Sequence, residues 1–245
     1  MASFELLRRF AGPRSMGHGG YVAGLVAEAI LGEQAAGAGA VQITLRRPTP
    51  FDQPLELVGQ GEGRVALVSG DIALVEGEPT KLELDPPPLP STAAARAAEP
   101  GSPSFYGAEG VHPSCFGCSS VREVGDALRI FAGPCRVDEK DVVAASWTPS
   151  PPFVDDRGCV PTRYVVSAVD CPGGFAFIAA GKRAGLLGRI VFEQHQVVCA
   201  DVEYRVVGWQ IGEDGRKLFA GTALIDPHDQ LAAVARATWF VPSAS

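Results

Sequence analysis

Two short segments of this chain set glycine pairs beside ionisable side chains: His18-Gly19-Gly20-Tyr21 and Asp170-Cys171-Pro172-Gly173-Gly174. Each leads into an apolar run with helical spacing, so each pair stands where a helix begins. The first amides of a helix lack intrahelical acceptors and carry the positive end of its dipole. Such amides can hold a carbonyl oxygen as it becomes an oxyanion, and glycine lets a reacting group approach the backbone. Gly19, Gly20, Tyr21, Gly173 and Gly174 are therefore the candidate substrate-binding residues. The competing reading is that these glycines only start helices or admit tight helix–sheet packing. Asp170 is the candidate general base or nucleophile, against a reading as N-terminal cap of its own helix. His18 could polarise a carbonyl or orient a water near neutral pH, or serve as a turn histidine bonded to backbone.

Other residues invite chemistry less directly. Cys115-Phe116-Gly117-Cys118 has the spacing of half a zinc site, with His112 and Cys135 as further ligands to consider. No second C-x-x-C occurs, so the default is two reduced thiols in a packed loop, and neither metal nor other cofactor is assigned. Redox chemistry is disfavoured, because no strand–CxxC–helix unit surrounds the pair. Cys171 could be a nucleophile, but spacing identifies no histidine partner, which favours a small core residue. His195 reads as a strand residue facing away from Gln194 and Gln196. The chain has no G-x-S-x-G, G-x-G-x-x-G or Walker motif, which leaves serine-elbow, dinucleotide and P-loop chemistry unsupported.

The elements that must position these residues repeat. Gly17–Leu31 reads as a helix ending at Gly32. Strands follow over 41–46, 55–60, 64–75 and 81–84, with a hairpin at Gly61-Glu62-Gly63. A second copy has a strand at 142–147 and a helix over 162–181, for which Pro172 suggests a later start. Strands at 188–196, 201–211, 217–226 and 231–241 complete it, with turns at Glu213-Asp214-Gly215 and Pro227-His228-Asp229. Helix followed by antiparallel meander, twice over, is an α+β pattern and divides the chain into 1–85, a Pro/Ala-rich linker at 86–110, and 111–245. At 46% hydrophobic and 20% charged the chain has enough apolar material for packed cores. A net charge of -7 without a basic run argues against nucleic acid. No stretch has the composition of a membrane span or a signal peptide, so a cytoplasmic location with reduced thiols is expected.

The two glycine-led helices with their meanders resemble the hot-dog fold, and two units in one chain resemble the double hot-dog acyl-CoA thioesterase-like proteins. Leu187-Gly188-Arg189, Asp214-Gly215-Arg216-Lys217 and Ala237-Thr238-Trp239 support this. Cys115-Phe116-Gly117-Cys118 and Gly125-Asp126-Ala127-Leu128-Arg129-Ile130-Phe131 resemble a linking segment of a less characterised subgroup. The resemblance implies an acyl-CoA ligand, its tail in an apolar tunnel between the two helices; the sheet edges a fused pair would leave exposed give a homodimer as a further expectation. It implies thioester hydrolysis, with a non-catalytic acyl binder or a hot-dog (de)hydratase as alternatives. In similar single hot-dog thioesterases an acidic residue follows the His-Gly-Gly at nine residues; here that position is Ala27, and Glu28 comes one later. One residue turns a side chain by about 100° round a helix, so Glu28 reads as a solvated helix residue.

Overall fold

A computed structural model describes residues 3–13, 16–109, 111–183 and 185–241. Among these residues eleven strands form one antiparallel sheet: β1 (Phe4–Glu5), β2 (Ala40–Leu45), β3 (Pro54–Gly61), β4 (Arg64–Ser69), β5 (Ile72–Thr80), β6 (Gly133–Val137), β7 (Lys140–Trp147), β8 (Leu186–Gln194), β9 (Tyr204–Asp214), β10 (Lys217–Ile225) and β11 (Leu231–Phe240). Helix α1 (Gly19–Leu31) lies in the first half, and α2 (Thr92–Ala98) follows it. Helices α3 (Thr162–Ala168) and α4 (Cys171–Ala179) lie in the second half.

The strand order, β1-β3-β4-β5-β2-β8-β11-β10-β9-β7-β6, exposes the duplication. Read outward from the centre, β2-β5-β4-β3-β1 has the connectivity of β8-β11-β10-β9-β7, and in each set the helix lies in the chain between the outermost strand (β1 or β7) and the central one (β2 or β8). The seam is antiparallel β2–β8 pairing, from Ala40↔Glu193 to Thr44↔Arg189. Each unit is thus a helix wrapped by an antiparallel sheet, the tandem α+β architecture expected.

The core lies between helices and sheet, and strand alternation sorts side chains between the two faces. On β7, Val143, Ala145 and Trp147 join this core. Their neighbours Val142 and Ala144 point to the outer face, where they meet Ala95 of α2, Val207 and Trp209. The alanine-rich stretch after the prolines is therefore a helix with a seat, capped by Ser91 Oγ accepting the Ala94 N–H. The sequence marks this stretch only as a Pro/Ala-rich linker; Ala95 buried against β7 and β9 shows what its alanines do.

Three strand expectations change. The run 64–75 is cut at Gly70, whose positive φ turns the chain between β4 and β5. Residues 81–84 form no strand, and the pairing ends at Thr80. The second helix is broken at Val169–Asp170 into α3 and α4, with Pro172 in the first turn of α4, where its missing N–H costs nothing.

Candidate functional site

The helix break delivers Asp170 to the first half of the molecule. Asp170 caps α4 by position, yet its side chain makes no bond to that helix. Its Oδ2 instead accepts the Gly20 N–H of α1 at 2.6 Å. Its Oδ1 is buried without a partner among the described residues. Opposite it, His18 is the N-cap of α1, with Nδ1 accepting the Tyr21 N–H at 3.2 Å. His18 Nε2 lies 3.4 Å from Asp170 Oδ2 and 3.4 Å from Cys171 Sγ. Both side chains are buried, at 1% and 3% exposure, so neither is a surface charge. Burial lifts the Asp170 carboxyl to about 6, against the pull of His18 and the Gly20 N–H. Burial works to lower the His18 pKa, but the Cys115 sulfur and the Asp170 carboxylate outweigh it and the net direction is upward.

The second component is a sulfur cluster. Cys115 and Cys171 lie with their sulfurs 3.7 Å apart. Cys118 is buried three residues further along the same turn. Hydrogen bonds from Cys118 and Cys171 hold the Cys115 thiol well below its usual range, while the bonds they share with Cys115 push those two upward. The turn carrying Cys115 and Cys118 is fixed by backbone bonds from Phe116 N–H to Ala11, Leu128 N–H to Phe116 and Ile130 N–H to Gly117. Gly117 has a specific task there. A Cβ on it would come within 2.8 Å of both Cys171 Sγ and His18 Nε2, so only glycine lets the three segments meet.

These groups border a cavity of about 280 Å³. Val22 of α1, Phe175 and Ile178 of α4, Leu187 of β8 and Trp239 of β11 give it an apolar wall. His18, Gly19, Asp170 and Cys171 form one end. The cavity adjoins the first turn of α1 and the face of α4. It does not run along the pair of helices that cross: a Cβ on Gly20 would lie 2.6 Å from Asp170 Cβ, and one on Gly24 2.6 Å from Arg163 Cα. The expected tunnel between helices is closed along α1 and α3 by this backbone contact.

The glycine candidates divide. The Gly20 and Tyr21 amides are occupied by Asp170 and His18, and Tyr21 stacks on Phe10 with ring centres 3.8 Å apart. Gly19 N–H has no acceptor among the described residues, and Gly19 lines the cavity. Cβ atoms at Gly173 and Gly174 would meet Trp239 at 3.1 and 3.3 Å, and Gly174, like Gly19, also lines the cavity. The Gly173 N–H is satisfied by the Asp170 carbonyl.

Glu28 is not a solvated residue but half-buried. It accepts the Arg163 N–H at 3.1 Å and pairs with the Arg163 guanidinium where α1 meets α3. His195 stands exposed just past the end of β8, away from the cavity, while Gln194 is buried and donates to the Gln196 carbonyl. His112 lines the cavity with Nδ1 engaged by Ser114. Cys135 packs on the opposite face of the sheet and does not meet Cys115. The partners of Cys115 are Cys171 and His18, which spacing could not reveal because 56 residues separate Cys115 from Cys171.

No family model matches the chain, and no curated protein matches it. Solved structures do. A tesB protein of Mycobacterium avium subsp. paratuberculosis superposes with a TM-score of 0.60 at 17% identity, covering 94% of this chain and 89% of that one. A hot-dog protein of unknown function from Alicyclobacillus acidocaldarius gives 0.63 at 9% identity, covering 99% and 93%. A putative thioesterase II from Thermobifida fusca gives 0.59 at 14% identity, covering 98% and 92%. The chain has the double hot-dog fold over its full length. Among the described residues, no helix is long and apolar enough to cross a membrane.

Proposed function

We propose that this protein hydrolyses acyl thioesters, of the acyl-CoA class, in the cleft between the start of α1 and α4. The observation that carries this reading is Asp170 Oδ1: a buried, partnerless carboxylate oxygen on a residue that borders an apolar cavity. Leaving such an acceptor unsatisfied costs on the order of 1–3 kcal/mol, so a native fold keeps one where something else uses it. In this reading the apolar wall takes the acyl chain and Gly19 N–H, at the positive end of α1, receives the carbonyl oxygen. Asp170 Oδ1 accepts a proton from a water as the water oxygen bonds to the carbonyl carbon. The tetrahedral intermediate then breaks its C–S bond, and the departing thiolate takes that proton back. His18 and the Gly20 N–H hold Oδ2 and thereby aim Oδ1.

The test is release of free CoA, measured by chromatography, from acyl-CoAs of graded length. Asp170→Asn keeps an oxygen for the Gly20 amide and should lower kcat by at least about 100-fold. Absence of release across the panel would overturn the hydrolase reading, and unchanged turnover in Asp170→Asn would remove this residue from the step. One observation favours a second reading, a non-catalytic acyl binder: Asp170 Oδ2 and His18 Nδ1 are both spent capping α1. Its signature is thermal stabilisation by acyl-CoA without release of CoA.

A further inference from the structure

We propose that Cys115, Cys118 and Cys171, with His18 beside them, form a binding site for a thiophilic divalent cation of the zinc class. This goes beyond the hydrolase reading and does not depend on it.

The geometry of the donors is the first argument. A ligand nitrogen of His18 and the sulfurs of Cys115 and Cys171 all lie within 4.8 Å of one another, and all three residues are buried. Tetrahedral zinc with Zn–S of about 2.3 Å and Zn–N of about 2.0 Å sets neighbouring ligands about 3.8 Å (S···S) and about 3.5 Å (S···N) apart. The distances here are 3.7 Å between the two sulfurs and 3.4 Å from His18 Nε2 to Cys171 Sγ. A disulfide would need its sulfurs at about 2.05 Å. Cys118, buried three residues after Cys115 in the same turn, completes the C-x-x-C spacing common among zinc ligands.

The second argument is architectural. Between Ser102 and Ala132 the described residues form neither helix nor strand. So long an irregular stretch inside a packed domain needs an anchor. Its buried anchor point is the Cys115–Cys118 turn, which touches the N-cap of α1 and the first residue of α4. An ion there would tie the linking segment to both halves, converting binding free energy into folding free energy. On binding, the three thiols lose their protons to solvent and three metal–sulfur bonds form, with no change of oxidation state.

His18 has two ways to take part. Its Nδ1 now accepts the Tyr21 N–H, which leaves its proton on Nε2, 3.4 Å from both Cys171 Sγ and Asp170 Oδ2. Ligation through Nε2 requires Nδ1 to be protonated and this cap to be released; otherwise Nε2–H donates to sulfur and the cation keeps an open position on the cleft. The three thiolates are required in both cases.

The experiment measures metal without substrate, so it stands or falls separately from hydrolysis. Protein from zinc-supplemented cultures, purified reduced and without chelator, is assayed for metal by mass spectrometry. About one zinc per chain is expected, retained in Cys135→Ser and lost in Cys118→Ser and Cys171→Ser. Since those variants can fail to fold, wild-type protein is also stripped and titrated with cobalt(II), with circular dichroism following the fold. A thiolate-to-cobalt charge-transfer band saturating at one equivalent supports the site. Three results would overturn it: metal-free wild-type protein with no such band, undiminished metal in both variants, or a Cys115–Cys171 disulfide in protein isolated without reductant.

Discussion

The tightest feature of the fold is the crossing of α1 over α3, and it can be tested with two glycines one turn apart. A Cβ at position 24 would lie 2.6 Å from Arg163 Cα and from its carbonyl oxygen, where ordinary contact begins at 3.4 Å. Gly24→Ala therefore forces the helices apart, at an overpacking cost of about 1–3 kcal/mol. Better helix propensity returns about 1 kcal/mol. The net loss should reach up to about 2 kcal/mol. Gly20→Ala meets Asp170 Cβ at 2.6 Å and Ser167 Cα at 2.9 Å, so it also displaces the carboxylate that accepts its own N–H. A hydrogen bond to a charged group adds about 1.5–3 kcal/mol. In a chain of this size each kcal/mol lowers Tm by about 2–4 °C. Thermal unfolding should thus rank wild type above Gly24→Ala above Gly20→Ala. CoA release, measured well below both midpoints, should drop only in Gly20→Ala. A Gly24→Ala protein more stable than wild type would refute the close crossing from which these magnitudes follow.

Further outcomes are expected elsewhere. Glu28→Ala removes the acceptor for the Arg163 N–H and the partner of its guanidinium, and should cost about 1–3 kcal/mol in urea unfolding. Ala95→Glu buries an unpaired charge between α2 and the sheet, and should destabilise by at least about 2 kcal/mol; an unchanged urea midpoint would mean that α2 is not docked. Ile178→Trp narrows the cavity, and should raise KM for long acyl chains more than for short ones while leaving the fold intact. Cys159 and Cys199 face each other across an isolated antiparallel bridge flanked by Val160 N–H to Val198 and Ala200 N–H to Gly158. Such non-hydrogen-bonded pairs have Cα atoms about 4.5 Å apart, within disulfide range. Diamide should crosslink them in wild type but not in Cys159→Ser, as peptide mapping would record.

What could be read in the sequence was whatever depends on neighbours along the chain. Alternation gave the strands, and the glycine-led apolar runs gave the helix starts to within a few residues. Leu187, Gly188 and Trp239, noticed only as a resemblance, turn out to wall the cavity. The β8–β11 register shift between Thr238 and Trp239 matches Trp239 to Leu187 rather than to Gly188. What escaped was whatever depends on contacts between distant segments. Asp170 caps the helix of the other half, Glu28 finds Arg163, and Cys171 finds Cys115, and no local pattern encodes those meetings. The helix α2 went unread inside the Pro/Ala-rich linker, because the contact that seats it, Ala95 on β7 and β9, lies far away in sequence.

The seam between β2 and β8 has a consequence for how such a molecule can change over generations. Five paired rungs there complete the hydrogen bonding of both units. A chain cut at the linker would leave each fragment with a bare central strand, Val41 and Ile43 on one and Ile190 and Phe192 on the other, open to any passing partner. Neither unit is therefore free to be deleted or exchanged as a module. The outer margins behave differently: one ends in a strand of two residues, and the other carries a proline and is overlain by the turn after α2. Inheritance has to act on the pair as one piece, with new associations blocked at the margins and old ones locked in the middle.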